Sequence, residues 1–388
     1  MLRKLLKKTP LAWMQLSKQK TRLLVAVSGI AFADLLMFIQ MGFEGALYDS
    51  AMSPYKNLQA DLAIANPQFQ TLFAVRSSPR DRLYQTLAHP QVKAVTPLYI
   101  ASGQWRNPET LQPRTILVWG IDPGTQVFKL PEVTQNLDRI KQLDRVLFDR
   151  AGRPEYGPIA DLLAKQSRLD VQINRQNVQV AGLFTIGSSF AADGNAIASD
   201  STFLRLFPDR RPDQIEAGLI QLKPGANVQR VKAELDRVLP DDVKVLTPEE
   251  WALIEQTYWA NGTGIGFIFT LGVLMGFIVG IIIVYQILYS DVTDHLAEYA
   301  TLKAMGYTDN YLLMMLGQEA LILACFGFLP SLILATGLYQ LTYAATLLPI
   351  AMKVERAVTV FVLTIIMCGV SGAIAMRKLR SADPADIF

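Results

Sequence analysis

Cysteine and histidine are scarce in this sequence, which has two of each among 388 residues. Both cysteines, Cys325 and Cys368, fall within long apolar runs, and the histidines, His89 and His295, lie far apart along the chain. Zinc sites built from these residue types need three or four ligands. The sequence therefore excludes a Cys/His metal site, and its polar part must fold by burial without disulfides.

Charge is almost absent from four long runs, with a single aspartate in the first as the exception. Crossing the ~30 Å hydrocarbon core of a bilayer takes about 20 apolar residues in a helix. Core helices of soluble proteins are usually amphipathic, whereas these runs are apolar on all sides. We therefore predict four transmembrane helices, from the runs Leu23–Phe43, Gln256–Ser290, Ala320–Met352 and Ala357–Met376.

A polar block, residues 44–262, separates the first run from the second. It carries 25 acidic and 24 basic residues, so its near-neutral charge gives no indication of nucleic-acid binding. Short β-type runs alternate with amphipathic helical ones, and this mixture predicts a large α+β domain of two lobes. The predicted strands are Asp61–Ala65, Ala94–Ile100, Thr115–Ile121, Asn177–Thr185, Ala217–Leu222 and Val243–Leu246, and the predicted helices are Arg80–Ala88, Thr134–Gln142, Ser201–Phe207, Val228–Leu239 and Pro248–Trp259.

Basic residues beside the first run predict the orientation of the chain. Met1–Arg22 contains seven Lys or Arg and no acid, which is typical of the cytoplasmic side of a first span. A cleaved signal peptide is the alternative, but its apolar region is usually 7–15 residues long, so we favour an uncleaved anchor. Both termini are then expected in the cytoplasm and the polar block in the periplasm.

These assignments divide the chain into nine segments. The predicted segments are a cytoplasmic amphipathic N-terminal segment (1–21), the first span (22–43), the periplasmic α+β domain (44–262), the second span (263–290), a cytoplasmic coupling loop (291–317), the third span (318–345), a short periplasmic loop (346–356), the fourth span (357–376) and a cytoplasmic tail (377–388).

The start of one helix can be read directly from the sequence. Thr247 is placed as an N-cap, Pro248 at the first helical position, and Glu250 three residues after Thr247 completes a capping box. The helix leads to the second span with only a short Asn-Gly-Thr-Gly segment between. We therefore expect a short, stiff stalk between the domain and the membrane.

Motifs for catalysis are missing. The chain has no Gly-x-x-x-x-Gly-Lys-Ser/Thr phosphate loop, so it is not expected to be an ATPase itself. Ser188 and Ser189 follow Gly187 but lack the second glycine of a nucleophile elbow, and we interpret them as a polar turn. We expect no catalytic residue, no cofactor and no metal.

Three glycines of the second run recur at intervals of four residues and form a smooth helix face. Another helix can approach such a face closely, and the approaching helix can belong to the same chain or to a second copy. We predict a packing face, and a homodimer contact, at Gly272, Gly276 and Gly280.

Asp34 lies in the middle of the first run, where an ionised carboxylate costs at least ~2.5–3.5 kcal/mol. It must therefore face protein or water, or carry a proton. A structural hydrogen bond to a tyrosine or glutamine of a neighbouring span is favoured over a gate or a polar relay.

The loop after the second run continues it as an amphipathic helix. Val292, Leu296, Tyr299 and Lys303 fall on one stripe, and Gly306 is placed to end the helix in a left-handed turn. A patterned loop of this kind favours docking of a separate cytoplasmic subunit over a merely solvated connection. The residues predicted to couple to that subunit are Glu298, Tyr299, Leu302, Lys303, Met305 and Gly306.

Two stretches of the sequence resemble a known family. Residues 298–306, Glu-Tyr-Ala-Thr-Leu-Lys-Ala-Met-Gly, resemble the E-x-(A/G)-x-L-(K/R)-A-(M/L)-G element of FtsX/MacB-type (type VII, mechanotransmission) ABC permeases, and residues 380–388 are similar to the Arg-x-x-Asp-Pro-Ala ending of that group. More narrowly, residues 32–43, 187–194 and 266–290 are similar to DevC permeases of cyanobacterial DevBCA exporters.

The resemblance implies a homodimeric four-span permease with a MacB-like periplasmic domain in the bacterial inner membrane. The implied partners are a separate ABC ATPase, a periplasmic adaptor protein and an outer-membrane channel of the TolC type, with a lipid or glycolipid as a cargo class. The helices of such a permease transmit ATP-driven motion and provide no path for the cargo. Alternatives are an FtsX-like protein that signals to an external hydrolase or sensor, and a lipoprotein-releasing permease.

Overall fold

The computed structural model describes residues 20–166, 168–189, 192–298, 301 and 305–380. In chain order its helices and strands are α1 (Lys20–Lys56), β1 (Leu62–Ala65), β2 (Ser78–Pro79), α2 (Arg80–Gln85), β3 (Val92–Arg106), β4 (Pro113–Ile121), α3 (Pro131–Ile140), β5 (Arg145–Asp149), α4 (Ile159–Lys165), β6 (Leu169–Ile173), β7 (Gln176–Phe184), β8 (Asn195–Ser199), α5 (Asp200–Leu206), β9 (Gln214–Ile215), β10 (Ala217–Leu222), α6 (Val228–Val238), β11 (Lys244–Leu246), α7 (Pro248–Thr257), α8 (Ile265–Asp294), α9 (Asp309–Thr346) and α10 (Val354–Arg380).

Four helices are long and apolar enough to cross a membrane: α1, α8, and the parts Met314–Thr346 of α9 and Val354–Ala375 of α10. The prediction of a four-helix membrane protein is thus confirmed. Two helices are longer than the predicted spans, because α1 continues past residue 43 to Lys56 and α9 begins at Asp309, inside the predicted coupling loop.

The chain divides into two compact units. Among the described residues, the membrane unit comprises residues 20–45, 266–342 and 350–380. The second unit, here called the large domain, comprises Ala46–Ile265 together with Tyr343–Pro349.

The large domain is built on a nine-stranded mixed sheet of order β11-β1-β10-β3-β4-β8-β5-β7-β6. The long strand β3 belongs to both halves of this sheet. Its residues 92–98 pair with β10, and its residues 98–106 pair with β4. A further pairing of Trp105 with Ile173 joins β3 to β6 and closes the six strands from β3 to β6 into a ring. The two predicted lobes correspond to this ring and to the four-stranded β11-β1-β10-β3 half.

Two apolar clusters cover opposite faces of the sheet. Alternate residues of a strand point to opposite faces, so Ile116 and Val118 of β4 enter one cluster while Leu117 and Trp119 enter the other. Burial of large aromatic side chains stabilises both clusters, since each contributes roughly 150–250 Å² of buried surface. The domain is therefore held together by burial on both sides of the sheet.

The predicted start of α7 is confirmed. The Thr247 hydroxyl accepts a hydrogen bond of 3.1 Å from the Glu250 N–H, and the Thr247 N–H donates one of 2.9 Å to the Glu250 carboxylate. Both donors would otherwise be unsatisfied at the helix N-terminus. A π-helical turn, Tyr258–Gly262, follows α7 before the chain enters α8.

Candidate functional site

The glycine face of α8 lies against α1 of the same chain. A methyl group added at Gly276 would lie 3.1 Å from the Met37 Cγ and 3.4 Å from the Ala33 carbonyl oxygen, so side chain and backbone of α1 both approach closely. A methyl group at Gly280 would lie 2.9 Å from the Ala33 Cβ, and one at Gly272 would clash with Gln40. Small residues permit this close approach. Inside a bilayer the hydrophobic effect does not drive helices together, so van der Waals packing stabilises the contact.

This contact corrects the prediction that Gly272, Gly276 and Gly280 form a dimer contact. Gly276 and Gly280 are buried by α1, and Gly280 also contacts Met367 of α10. A helix face filled by neighbouring helices of its own chain has no room for a helix of a second copy. The glycine pattern identified a packing face correctly, but the sequence does not say which helix fills it.

Asp34 is fully buried within the membrane unit and joins three helices. The Thr364 hydroxyl of α10 donates a hydrogen bond of 2.7 Å to the carboxylate, and the Ser331 hydroxyl of α9 donates a longer one of 3.4 Å. The partners are thus a threonine and a serine, in place of the tyrosine or glutamine considered from the sequence. Two hydroxyl donors satisfy a group that would otherwise be costly inside a bilayer.

A cluster of charges lies where α1 and α8 meet near the α8–α9 loop (residues 295–308). The Arg22 guanidinium of α1 lies 3.3 Å from the Asp291 carboxylate and 3.0 Å from the Asp294 carboxylate, both on α8. It also donates a hydrogen bond of 3.1 Å to the Ile287 carbonyl. The cluster clamps the beginning of α1 to the end of α8, one turn before the loop.

The described residues at the end of α8 and in the α8–α9 loop agree with the predicted pattern. Val292 is buried, Leu296 packs against the same apolar cluster, and Glu298 is exposed. Gly306 has a positive φ of 91°, which confirms the predicted left-handed turn. The next residue back, Met305, is 64% exposed, so its apolar side chain is available to a partner. Tyr299, Leu302 and Lys303 lie outside the described residues, and their coupling role stays a prediction.

Sequence reasoning missed a buried carboxylate in the large domain, Glu255 of α7. It accepts hydrogen bonds from the Tyr55 hydroxyl of α1 at 2.7 Å and the Thr71 hydroxyl at 2.6 Å, from the Leu72 N–H at 2.8 Å and from the Trp259 indole at 2.9 Å. Burial raises the pKa of Glu255 above its ordinary value, and these hydrogen bonds oppose the rise.

The Glu255 node, defined as this carboxylate with its four donors, ties α1 to α7. A sequence signal for it did exist. Trp251, Glu255 and Trp259 follow one another at intervals of four, which places the acid on the same helix face as two aromatic residues. An acid on an apolar helix face must be satisfied by hydrogen bonds when it is buried.

A second buried carboxylate, Asp149, organises the loop at residues 185–189. It accepts hydrogen bonds from the Ile186 N–H at 3.2 Å, the Gly187 N–H at 2.9 Å and the Asn195 amide at 2.9 Å. Burial raises the pKa of Asp149, while these donors stabilise its charged form. Ser188 and Ser189 are both buried, and their interpretation as a polar turn stays a prediction.

The remaining candidates for chemistry are dispersed. His89 pairs with Glu234 at 2.8 Å on the large domain, and His295 contacts the Asp291 carboxylate at 3.6 Å in the membrane unit. Within the described ranges, no three His, Cys, Asp or Glu side chains come together in a way that could hold a metal ion. What the described residues offer is a set of helix-to-helix links, at Arg22, Asp34 and Glu255.

Comparison with protein families identifies the C-terminal part of the chain. Residues 261–384, which include α8, α9 and the loop between them, match the family described as FtsX-like permease C-terminal. These residues are therefore similar to the C-terminal part of FtsX-like permeases, and the predicted FtsX-type resemblance is confirmed for them. No curated protein matches the chain.

Two solved structures that are similar to this chain are extracytoplasmic domains. The periplasmic region of MacB from Actinobacillus actinomycetemcomitans is 15% identical with a TM-score of 0.35, and the match covers 54% of this chain and 97% of that one. The extracellular domain of the noncanonic ABC-type transporter YknZ from Gram-positive bacteria is 17% identical with a TM-score of 0.34, and the match covers 48% and 99%.

Proposed function

We propose that this chain is the membrane permease subunit of an FtsX/MacB-type ABC exporter, in which a separate ATPase subunit supplies the motion. The match of residues 261–384 to FtsX-like permeases carries this proposal. These 388 residues contain no phosphate loop, so in this proposal ATP is hydrolysed outside them. The permease itself is then a non-catalytic subunit.

The proposed mechanism uses the links between helices. Docking of the ATPase on the α8–α9 loop would move the end of α8, and the Arg22 clamp would move α1 with it. Helices packed against each other move as units, since a close-packed interface resists gradual deformation. The Glu255 node joins the last turns of α1 to α7, the helix that precedes α8 in the chain. Motion transmitted along α1 and motion transmitted from α8 to α7 would therefore reach the same carboxylate.

The proposed assembly extends beyond the ATPase. It is a homodimer of the permease, of the DevC type, with a periplasmic adaptor protein and an outer-membrane channel of the TolC type, and its cargo is a lipid or glycolipid. The charge pattern of Met1–Arg22 supports an inner-membrane orientation with cytoplasmic termini and a periplasmic large domain. Since the glycine face of α8 is filled, the dimer would use another face of the membrane unit.

The orientation can be tested by cysteine labelling in intact cells, in a variant whose Cys325 and Cys368 are replaced by alanine. Thr110 and Thr308 are both exposed, one in the large domain and one in the α8–α9 loop. Thr110→Cys should react with a membrane-impermeant maleimide from outside, and Thr308→Cys should react only after the cells are opened. Labelling of Thr308→Cys in intact cells would contradict the proposed orientation.

The function can be tested by purification from the native host through a tag on this chain. An ABC ATPase should co-purify, and its ATP turnover should rise when the two proteins are combined in lipid nanodiscs. Recovery of an external hydrolase or a sensor kinase, with no effect on any ATPase, would instead support the signalling alternative.

A further inference from the structure

A cleft of about 810 Å³ lies on the large domain beside β6. Residues from the turn after β3, from the segment before β5, from β6 and from the β6–β7 hairpin line it. We call it the arginine cleft, because five arginines lie on it: Arg106, Arg145, Arg168, Arg175 and Arg205.

The charges of the arginine cleft do not balance. Asp170 pairs with Arg168 at 2.9 Å, and Asp144 pairs with Arg205 at 3.1 Å. These are the two acids among the lining residues. The other three arginines form no ion pair with any residue that the structure describes. A surplus of guanidinium groups favours a ligand that carries several carboxylates or phosphates, which guanidinium binds in a two-pronged geometry.

The backbone beside the cleft identifies the class of ligand more narrowly. Strand β6 pairs along its whole length with β7 on one side, but on its other side only Gln172 and Ile173 pair with β3. This pairing ends at Arg106, where β3 ends, and among the described residues no strand pairs with Leu169–Val171 on this side, so their edge is open. An extended peptide can add to such an edge through main-chain hydrogen bonds, and small anions gain nothing from it.

Two exposed leucines support a peptide ligand over a phosphate group. Leu111 is 56% exposed and Leu143 is 52% exposed, and both line the cleft. Arginines combined with exposed apolar side chains are typical of protein interfaces.

We propose that the arginine cleft binds an acidic, extended peptide segment of an extracytoplasmic partner protein, which pairs with the open edge of β6. Carboxylates of the segment would bind Arg106, Arg145 and Arg175, and its apolar residues would contact Leu111 and Leu143. The inference rests on the proposed function only in that it assumes a partner outside the membrane.

The test is a binding measurement on the full-length chain in detergent micelles. The probe is a fluorescein-labelled octapeptide of alternating glutamate and valine, and its anisotropy reports binding. The variant Arg145→Gln/Arg175→Gln removes two guanidinium groups that make no hydrogen bond to another described residue, so its melting temperature should equal that of the wild type. The matched control is Arg237→Gln, an exposed arginine of α6 outside the cleft.

We expect the double variant to weaken peptide binding at least tenfold, the control to leave it unchanged, and raised salt to weaken it. A peptide with proline at its centre, which cannot donate a main-chain hydrogen bond, should also bind at least tenfold more weakly. Equal binding by wild type and double variant would overturn the proposal. So would displacement of the peptide by inorganic phosphate, or by phosphatidylglycerol added to the micelles, at equal charge concentration. Neither result affects co-purification with an ATPase, which tests the proposed function separately.

Discussion

Tyr55 donates a hydrogen bond of 2.7 Å to the carboxylate of Glu255, a residue 200 positions further along the chain. The bond joins the last turns of α1 to α7, and both residues are buried. Thr71, Leu72 and Trp259 donate to the same carboxylate. A single side chain therefore connects two helices that lead, in sequence, to two of the membrane spans.

Removal of this carboxylate should destabilise the large domain. Glu255→Gln replaces an acceptor of four hydrogen bonds by an amide with one acceptor oxygen, so buried donors lose their partner. We expect the free energy of unfolding to fall by about 1–3 kcal/mol. The control is Glu249→Gln, an exposed glutamate of the same helix, which should change it by less than about 0.5 kcal/mol. Denaturant titration followed by tryptophan fluorescence measures both, and equal effects of the two changes would contradict the structural role of Glu255.

The effect of Glu255→Gln should depend on pH. Burial raises the folded-state pKa of Glu255 above the ordinary 4.5, so the folded protein binds this proton more tightly than the unfolded chain does. Its contribution to stability is then complete below the unfolded pKa and is lost as the pH rises through the folded pKa. The difference in melting temperature between wild type and variant should therefore narrow from pH 4.5 to pH 8. A difference that widens over this range would show that the folded state favours the ionised form.

The glycine face of α8 should form a contact within one chain. The Cβ of a residue at position 276 would lie 3.4 Å from the Leu36 Cβ, close to the separation found in disulfides. Leu36→Cys/Gly276→Cys, in a background without Cys325 and Cys368, should oxidise to a disulfide within the monomer. The readout is migration on a non-reducing gel. A dimer band would show that the glycines meet a second copy, as first expected from the sequence.

Asp34 should act as a structural hydrogen-bond acceptor. Asp34→Asn keeps an acceptor for Thr364 and Ser331, whereas Asp34→Leu leaves both hydroxyls without it. We expect Asn to support normal transport and Leu to lower the yield of folded protein. Thr364→Val should cost about 0.6–1.7 kcal/mol in the wild-type background and little in Asp34→Leu, as for other hydrogen bonds between membrane helices. Loss of transport in Asp34→Asn at normal yield would indicate that the charge itself is required.

Periodicity and capping predicted much of this fold, because those signals are local. The apolar runs gave the four membrane helices, and Thr247 with Glu250 gave the start of α7. Strands β5 and β8 were missed because their strand signals are weak: Arg145–Asp149 has a charged residue at each end, and Asn195–Ser199 is rich in alanine, which has little preference for strands. Strand β6, Leu169–Ile173, does alternate, and its apolar residues could have identified it.

The partners of the candidate residues could not be predicted from sequence alone. Asp34 bonds to Thr364 and Ser331 across about 300 residues, and no local pattern encodes that pairing. The glycine spacing of α8 likewise predicts a close approach without naming α1. From the sequence, Arg22 was only one of several basic residues at the start of the chain. Its pairing with Asp291 and Asp294 depends on α1 meeting α8, which no local pattern predicts.

The central claim is that the α8–α9 loop couples this permease to a separate ATPase, and Gly306 allows the most direct measurement of it. Gly306→Val introduces a β-branched residue at a φ of 91°, which should misdirect the turn that presents Met305. Gly225→Val is the matched control, since Gly225 has a φ of 84° in a loop of the large domain, and no described residue lies within 4 Å of a Cβ added at either glycine. Both variants should fold, but only Gly306→Val should abolish stimulation of ATP turnover by the permease in nanodiscs. Full stimulation by Gly306→Val, or equal losses in the two variants, would contradict the account.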